Sequence, residues 1–116
     1  MKVFVLKSFH FLTIILNLVK SPPFVTLSIF GNAVVFFFAG IVYFLEEKTN
    51  PLINSFMDAL WWSFSTTTTI GYGDIVPQTF LGKIVGITLM LVGVALFSIY
   101  TAIFARAILD NDTYME

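Results

Sequence analysis

The sequence predicts an all-α membrane protein. Two bilayer-spanning helices flank a shorter, re-entrant helix that returns as an extended strip. Three observations carry this. Of 116 residues, 58% are hydrophobic and 11% charged, against about 25% charged in soluble domains. So short a chain could not hide that much apolar surface in its own core. Two uncharged runs of 22 residues, Phe24–Leu45 and Ile84–Ala105, are each long enough to cross a bilayer. Between them lies Thr66-Thr67-Thr68-Thr69-Ile70-Gly71-Tyr72-Gly73-Asp74, whose glycines and threonines suit neither a spanning helix nor a buried strand.

The first 21 residues form a separate element. Ser8–Val19 is an uncharged run between Lys7 and Lys20, too short to span. At helical spacing His10, Thr13, Asn17 and Lys20 share one narrow face. Phe9, Phe11, Leu12, Ile15, Leu16 and Val19 occupy the rest. This predicts an amphipathic helix lying in the membrane interface over residues 1–21. The alternative is a cleaved signal peptide, but no Ala-x-Ala-like site follows. His10 is expected to be a satisfied interfacial residue rather than a pH sensor.

Pro22 and Pro23 separate this segment from an outer helix over 24–45, which Glu46, Glu47 and Lys48 are expected to end in water. Ser55 followed by Asp58 reads as a capping box. The helix it opens, 56–67, would be about 18 Å long and reach only partway through the bilayer. Non-helical backbone at that depth is tolerated only inside protein or against a water-filled cavity. An inner helix over 80–109 follows, ending before Asp110-Asn111-Asp112. With both termini cytoplasmic, Lys2, Lys7, Lys20 and Arg106 lie inside, and Lys48 and Lys83 outside. That bias agrees with the positive-inside rule for a multi-pass protein of the cell membrane.

The strip between the helices carries the chemistry. Strand carbonyls alternate, so a row facing one way needs backbone angles that glycine reaches at little steric cost. Gly71 and Gly73 supply that freedom, while Ile70 and Tyr72 would point away and brace the strip. Such a row, with the Thr69 hydroxyl at its inner end, can replace the hydration shell of a cation. A nucleotide-binding loop is excluded, because the third glycine and the following lysine are missing.

Composition excludes further classes. The net charge of −1 gives no basic balance for nucleic acid. With no cysteine there is no disulfide framework or thiolate metal site. One histidine and no cysteine leave no nucleophile–base set. The chain is therefore expected not to be an enzyme and to use no organic cofactor.

Filter motif, upstream tryptophan pair and flanking spans together resemble the pore module of the prokaryotic two-transmembrane-helix potassium channel family, over residues 24–109. The resemblance implies a pore domain over 22–116. It implies assembly with three further copies of the chain into a homotetramer, and passive K⁺ transport through a selectivity filter. Oxygens of Thr69, Ile70, Gly71 and Tyr72 would hold the ion, with Gly73 at the outer entrance. Trp61, Trp62 and Thr68 would support the filter, the tryptophans around Tyr72, with Asp74 hydrogen-bonded to Trp61. Ser65 stands where some relatives carry a glutamate that pairs with this aspartate, so one carboxylate is missing. Gly93 matches the family's gating hinge, although a glycine also allows close helix contact, and both readings stay open. With a hinge there, Phe97, Thr101 and Ala105 would line the cavity.

No helix carries arginine at every third position, so a voltage sensor of the usual kind is not expected. Ten residues follow Arg106, and the expectation is the pore portion of a gated channel whose gating domain lies outside this chain. The alternatives are a weakly selective cation channel and a non-conducting membrane scaffold subunit. Relatives of the first kind carry Asp where this chain has Tyr72.

Overall fold

The computed structural model describes residues 2–113. Among them, four helices follow in order: α1 (Lys2–Val19), α2 (Pro22–Glu46), α3 (Phe56–Thr67) and α4 (Phe80–Thr113). Three stretches, Lys2–Val19, Pro22–Glu46 and Phe80–Asp110, are long and apolar enough to cross a membrane. The chain gathers into two units. One takes α1, α2 as far as Ile29, and α4 from Ser98; the other is Phe30–Phe97.

In the first unit, α1 begins six residues before Ser8 and spans 18 residues. Lysine is a good helix former, so the helix runs through Lys7 instead of starting after it. The expectation of a segment too short to span rested on that charge. At its full length α1 meets the minimum for crossing. Ile14 and Leu18 are its buried residues, one and two turns along from His10. His10 is not the satisfied side chain expected of it: its Nε2 is buried without a hydrogen-bond partner.

Ser21 closes α1 and opens α2. Its amide and hydroxyl both donate to the Leu18 carbonyl, at 3.0 and 2.6 Å. Its own carbonyl accepts from the Val25 amide at 3.0 Å. Pro22 and Pro23 are the first residues of α2 rather than spacers before it. They fit because the first helical amides need no acceptor and proline presets the backbone angle. Phe24 meets Tyr100 and Phe104 edge to face, with ring centroids 5.6 and 5.9 Å apart. The Tyr100 hydroxyl donates to Ser28 Oγ at 2.9 Å. α4 continues four residues past Leu109. No glycine or proline stops it there, and Arg106 pairs with Asp110 one turn on, at 3.6 Å.

The second unit is built on two narrow stripes. α2 buries Gly31, Val35, Ala39, Val42 and Glu46. α4 buries Gly82, Gly86, Leu89, Gly93 and Leu96. Steps of three and four residues put each set on one face. Lipid tails are as apolar as leucine, so membrane helices associate by close packing at small residues rather than by hydrophobic expulsion. The buried core is Ala39, Val42, Ile53, Ala59, Trp62 and Leu89. Ser63 fastens α3 to α2, its hydroxyl donating to the Val35 carbonyl at 2.8 Å.

Candidate functional site

α3 starts where the capping box placed it. Ser55, in extended conformation, accepts from the Asp58 amide through Oγ at 3.3 Å. Asp58 Oδ2 accepts from the Ser55 amide at 3.2 Å and from the Asn54 amide at 2.9 Å. At the other end the threonines turn back on the helix. Thr67 Oγ1 donates to the Ser63 carbonyl, and Thr68 Oγ1 to the Phe64 carbonyl, both at 2.7 Å. This back-bonding occupies carbonyls of the last turn, as threonine commonly does.

The strip leaves the helix with a two-residue alternation. Thr69, Gly71 and Gly73 have φ of +66°, +60° and +80°. Every second residue thus takes the left-handed region. A change of φ sign at alternate residues departs from a normal strand, whose residues all keep negative φ and whose carbonyls alternate. Glycine adopts this freely, but a β-branched residue does so only under strain. Sequence reading assigned the freedom to the two glycines and missed that Thr69 shares it. Such outliers persist where the surroundings over-determine them, typically at functional sites. Two bonds to the end of α3 fix the strip's start. The Thr69 amide donates to the Thr66 carbonyl at 3.1 Å, and the Gly71 amide to the Ser65 carbonyl at 3.0 Å.

Aromatic support comes from one tryptophan of the pair. Trp61 stacks on Tyr72, with centroids 5.4 Å apart and planes within 8°. Its Nε1 donates to Asp74 Oδ2 at 2.9 Å. Trp62 is buried and turned the other way, against Gly86, where an added Cβ would come within 3.3 Å of the indole. Consecutive helical residues point about 100° apart, so the two indoles meet different surroundings: Trp61 the Tyr72 ring, Trp62 the Gly86 face and the hollow beside Gly71 and Gly73. Ser65 serves the strip through its backbone, while its hydroxyl donates to the Trp62 carbonyl at 3.2 Å. Two apolar hollows flank the strip. One of about 430 Å³ is bounded by Trp62, Gly71, Gly73, Ile75 and Met90. The other, of about 180 Å³, lies among Trp61, Phe64, Ile70 and Tyr72. Ile70 and Tyr72 are 58% and 61% exposed.

The residue that sequence reading misplaced is Glu46. It does not end α2 in water, but is fully buried. Its carboxyl group accepts from the Asn50 side chain at 3.1 Å, from the Thr79 amide at 3.0 Å, and from the Gln78 amide. Asn50 Nδ2 also donates to the Val76 carbonyl at 2.8 Å. Thr79 in turn caps α4, its Oγ1 accepting from the Gly82 amide at 2.9 Å. An acidic group at a helix N-terminus is electrostatically favourable. One side chain thus ties the end of α2 to the loop after the strip and to the start of α4. The available signal was register, since Glu46 stands four residues after Val42 on the buried stripe.

Gly93 meets the last turn of α3. A Cβ there would lie 2.8 Å from Thr67 Cα and 2.9 Å from its carbonyl oxygen. The close-contact reading of Gly93 therefore has a defined neighbour, and α4 passes through it as unbroken helix. Phe97, Thr101 and Ala105 are each exposed along one line of α4.

A family model described as "Ion channel" matches residues 30–110. The chain belongs to the ion channel family. Within that family it is similar to a "Voltage-gated potassium channel" of Aeropyrum pernix, at 47% identity over 62 residues, which is 53% of this chain and 21% of that one. It is similar to the human "Potassium voltage-gated channel subfamily KQT member 4", at 37% identity over 79 residues, or 68% of this chain and 11% of the relative. It is also similar to the human "Potassium voltage-gated channel subfamily A member 6", at 46% identity over 61 residues, or 52% and 12%. The channel chain thus spans about a fifth or less of these relatives' lengths.

Proposed function

We propose that this chain is the potassium-selective pore of a channel, built from four copies around one axis and conducting K⁺ passively across the cell membrane. The observation that carries the reading is the alternation of left-handed backbone at Thr69, Gly71 and Gly73. Four strips whose carbonyls face one axis form stacked rings of oxygens. An ion between two rings meets about eight ligands, which replace its hydration shell. Thr69, Ile70, Gly71 and Tyr72 supply those ligands, with Gly73 at the outer entrance. The exposure of Ile70 and Tyr72 supports assembly, because neighbouring copies would cover both. The relatives named as potassium channels support the choice of ion.

α3 is the re-entrant helix of this arrangement. Its C-terminal carbonyls carry partial negative charge, and four such ends favour a cation at the bilayer midplane. The strip needs protein on every side at that depth, which the neighbouring copies provide. Phe97, Thr101 and Ala105 line the route below the filter. Trp61, Thr68 and Asp74 hold the filter within the chain, and Trp62 and Ser65 back it. Both termini face the cytoplasm, which needs an even number of crossings. Residues 1–21, though long enough to cross, therefore lie along the membrane interface with His10, Thr13, Asn17 and Lys20 on their polar face. Gating is supplied from outside the pore, which is the conducting portion of a gated channel.

The test is a reversal potential in planar bilayers between unequal K⁺ and Na⁺ solutions. A value near the K⁺ equilibrium potential is expected. A value near zero with robust current would favour the weakly selective cation channel. A chain that never conducts would favour the scaffold subunit.

A further inference from the structure

The last turn of α3 is gripped from two sides. On the α2 side, the fully buried Ser63 donates its hydroxyl to the Val35 carbonyl at 2.8 Å. One turn on, Thr67 Oγ1 donates to the Ser63 carbonyl at 2.7 Å. On the α4 side, Gly93 lies against the Thr67 backbone. A Cβ there would stand 2.8 Å from Thr67 Cα, 2.9 Å from its carbonyl oxygen and 3.2 Å from its carbonyl carbon. All three atoms are main chain, so none can swing aside as the end of a side chain does. A line of contact thus crosses from α2 through α3 to α4, by way of Val35, Ser63, Thr67 and Gly93. All four residues belong to the Phe30–Phe97 unit, and none is part of the strip over 69–73.

We propose that Ser63 and Gly93 are positioning residues for ion selection, which hold the last turn of α3 so that Thr69 keeps its left-handed backbone. The proposal rests on the reading of residues 69–73 as a potassium filter. Thr69 has φ of +66°, a state disfavoured for a non-glycine residue by roughly tenfold. Such a state persists only where the surroundings over-determine it. The strip hangs from the last turn of α3 by two bonds, from the Thr69 amide to the Thr66 carbonyl and from the Gly71 amide to the Ser65 carbonyl. A displacement of that turn therefore reaches both residues. The turn itself is held from outside, by the Ser63 hydroxyl and by the close approach at Gly93. A hydrogen bond between membrane helices shifts an equilibrium about threefold, the same order as the strain that it opposes. The backbone contact at Gly93 supplies the rest, because a close-packed interior transmits displacement. Rings of oxygens discriminate between ions by the cavity and field that they present. A Thr69 released to negative φ takes its oxygens out of the ring, and K⁺ loses its advantage over Na⁺. Ser63 and Gly93 touch no ion and act through Thr67 and Thr69.

The experiment measures the K⁺ over Na⁺ permeability ratio from reversal potentials of the full chain in planar bilayers, for the parent, Ser63→Ala, Gly93→Ala and Gly40→Ala. Ser63→Ala removes the hydroxyl without adding bulk and should lower the ratio about threefold. Gly93→Ala must drive the Thr67 backbone from 2.8 Å out to the 3.4 Å of ordinary contact, and should lower it about tenfold or more. Gly40→Ala adds the same methyl on α2, where nothing lies within 4 Å, and should keep the parent ratio. A merely structural role would show as fewer assembled channels, each with the parent reversal potential. A parent ratio in Ser63→Ala overturns the proposal, and that variant decides should Gly93→Ala fail to assemble. A Gly93→Ala channel that differs only in how often it opens, or an equal loss of selectivity in Gly40→Ala, would also overturn it. Failure of the underlying filter reading would appear in the parent itself, as absent or unselective current, and would take the proposal with it.

Discussion

Two successive stretches of extended chain join α3 to α4, and they are held in opposite ways. Residues 69–73 bond to their own chain at two amides, leave Ile70 and Tyr72 exposed, and place three residues at positive φ. Residues 76–79 are bound by a buried acidic side chain and its asparagine partner, which together engage the Val76 carbonyl and the Gln78 and Thr79 amides. The second stretch is fixed by the fold of a single chain. The first is held by the turn out of α3 as far as Gly71, and beyond it by the Trp61 ring on Tyr72 and the Trp61–Asp74 bond. In the proposed pore, carbonyls that serve an ion are not committed to the strip's own chain, and the anchoring falls to the neighbouring stretch.

The largest effect that would break this contrast belongs to the first stretch. Gly71→Ala places a Cβ where there is open space but φ is +60°. A left-handed alanine costs about 1–2 kcal/mol, enough to turn the carbonyl row without unfolding the chain. Bilayer current should vanish while the oligomer survives on size-exclusion chromatography. A conducting variant would sink the backbone account of the strip. Next in size, Tyr72→Asp should move the reversal potential from the K⁺ value toward zero while current persists. An unchanged reversal potential would remove Tyr72 from the filter.

The second stretch should respond in stability instead. Glu46→Ala removes the acceptor that the Asn50 side chain and the Gln78 and Thr79 amides share and should cost about 1–3 kcal/mol, the range for leaving a buried hydrogen-bonding group without its partner. Glu46→Gln keeps one acceptor oxygen and should fall between the two, read as melting temperature in detergent. The smallest effect is expected at the seam between the stretches. Trp61→Phe keeps the stacked ring and loses one hydrogen bond, worth about 1 kcal/mol. A loss as large as that of Glu46→Ala would mean that the strip is anchored as firmly as the stretch after it.

The two long helices were legible from their uncharged runs, and α3 because Ser55 and Asp58 are a local signal needing no partner; α1 was not, since Lys7 read as a boundary and the helix runs through it. The strip was legible because few residue types can fill it. Glu46 was not, since an acidic residue after an apolar run reads as an exit to water unless its register is followed. Thr69 was not, because nothing in a threonine announces a left-handed backbone. That state is imposed by the turn out of α3, where two amides reach back to Thr66 and Ser65. The tryptophan pair was legible as belonging near the strip, but not in which indole meets what: Trp61 takes the Tyr72 ring, and Trp62 the hollow beside Gly71 and Gly73. His10 looked like a polar face residue, yet its Nε2 lies buried, a matter of tertiary contact that spacing does not carry.

The capping box of α3 has a consequence for how the protein is made. Ser55 and Asp58 cap that helix from within four residues of sequence, so its start is set by its own segment, while its 12 residues still need packing to hold. In the assembly proposed above, the strip gains its cover only when other copies arrive. The proposal then implies an order of making, with the start of the short helix set early and the ion path completed last, so that a newly inserted chain would not leak before it has partners.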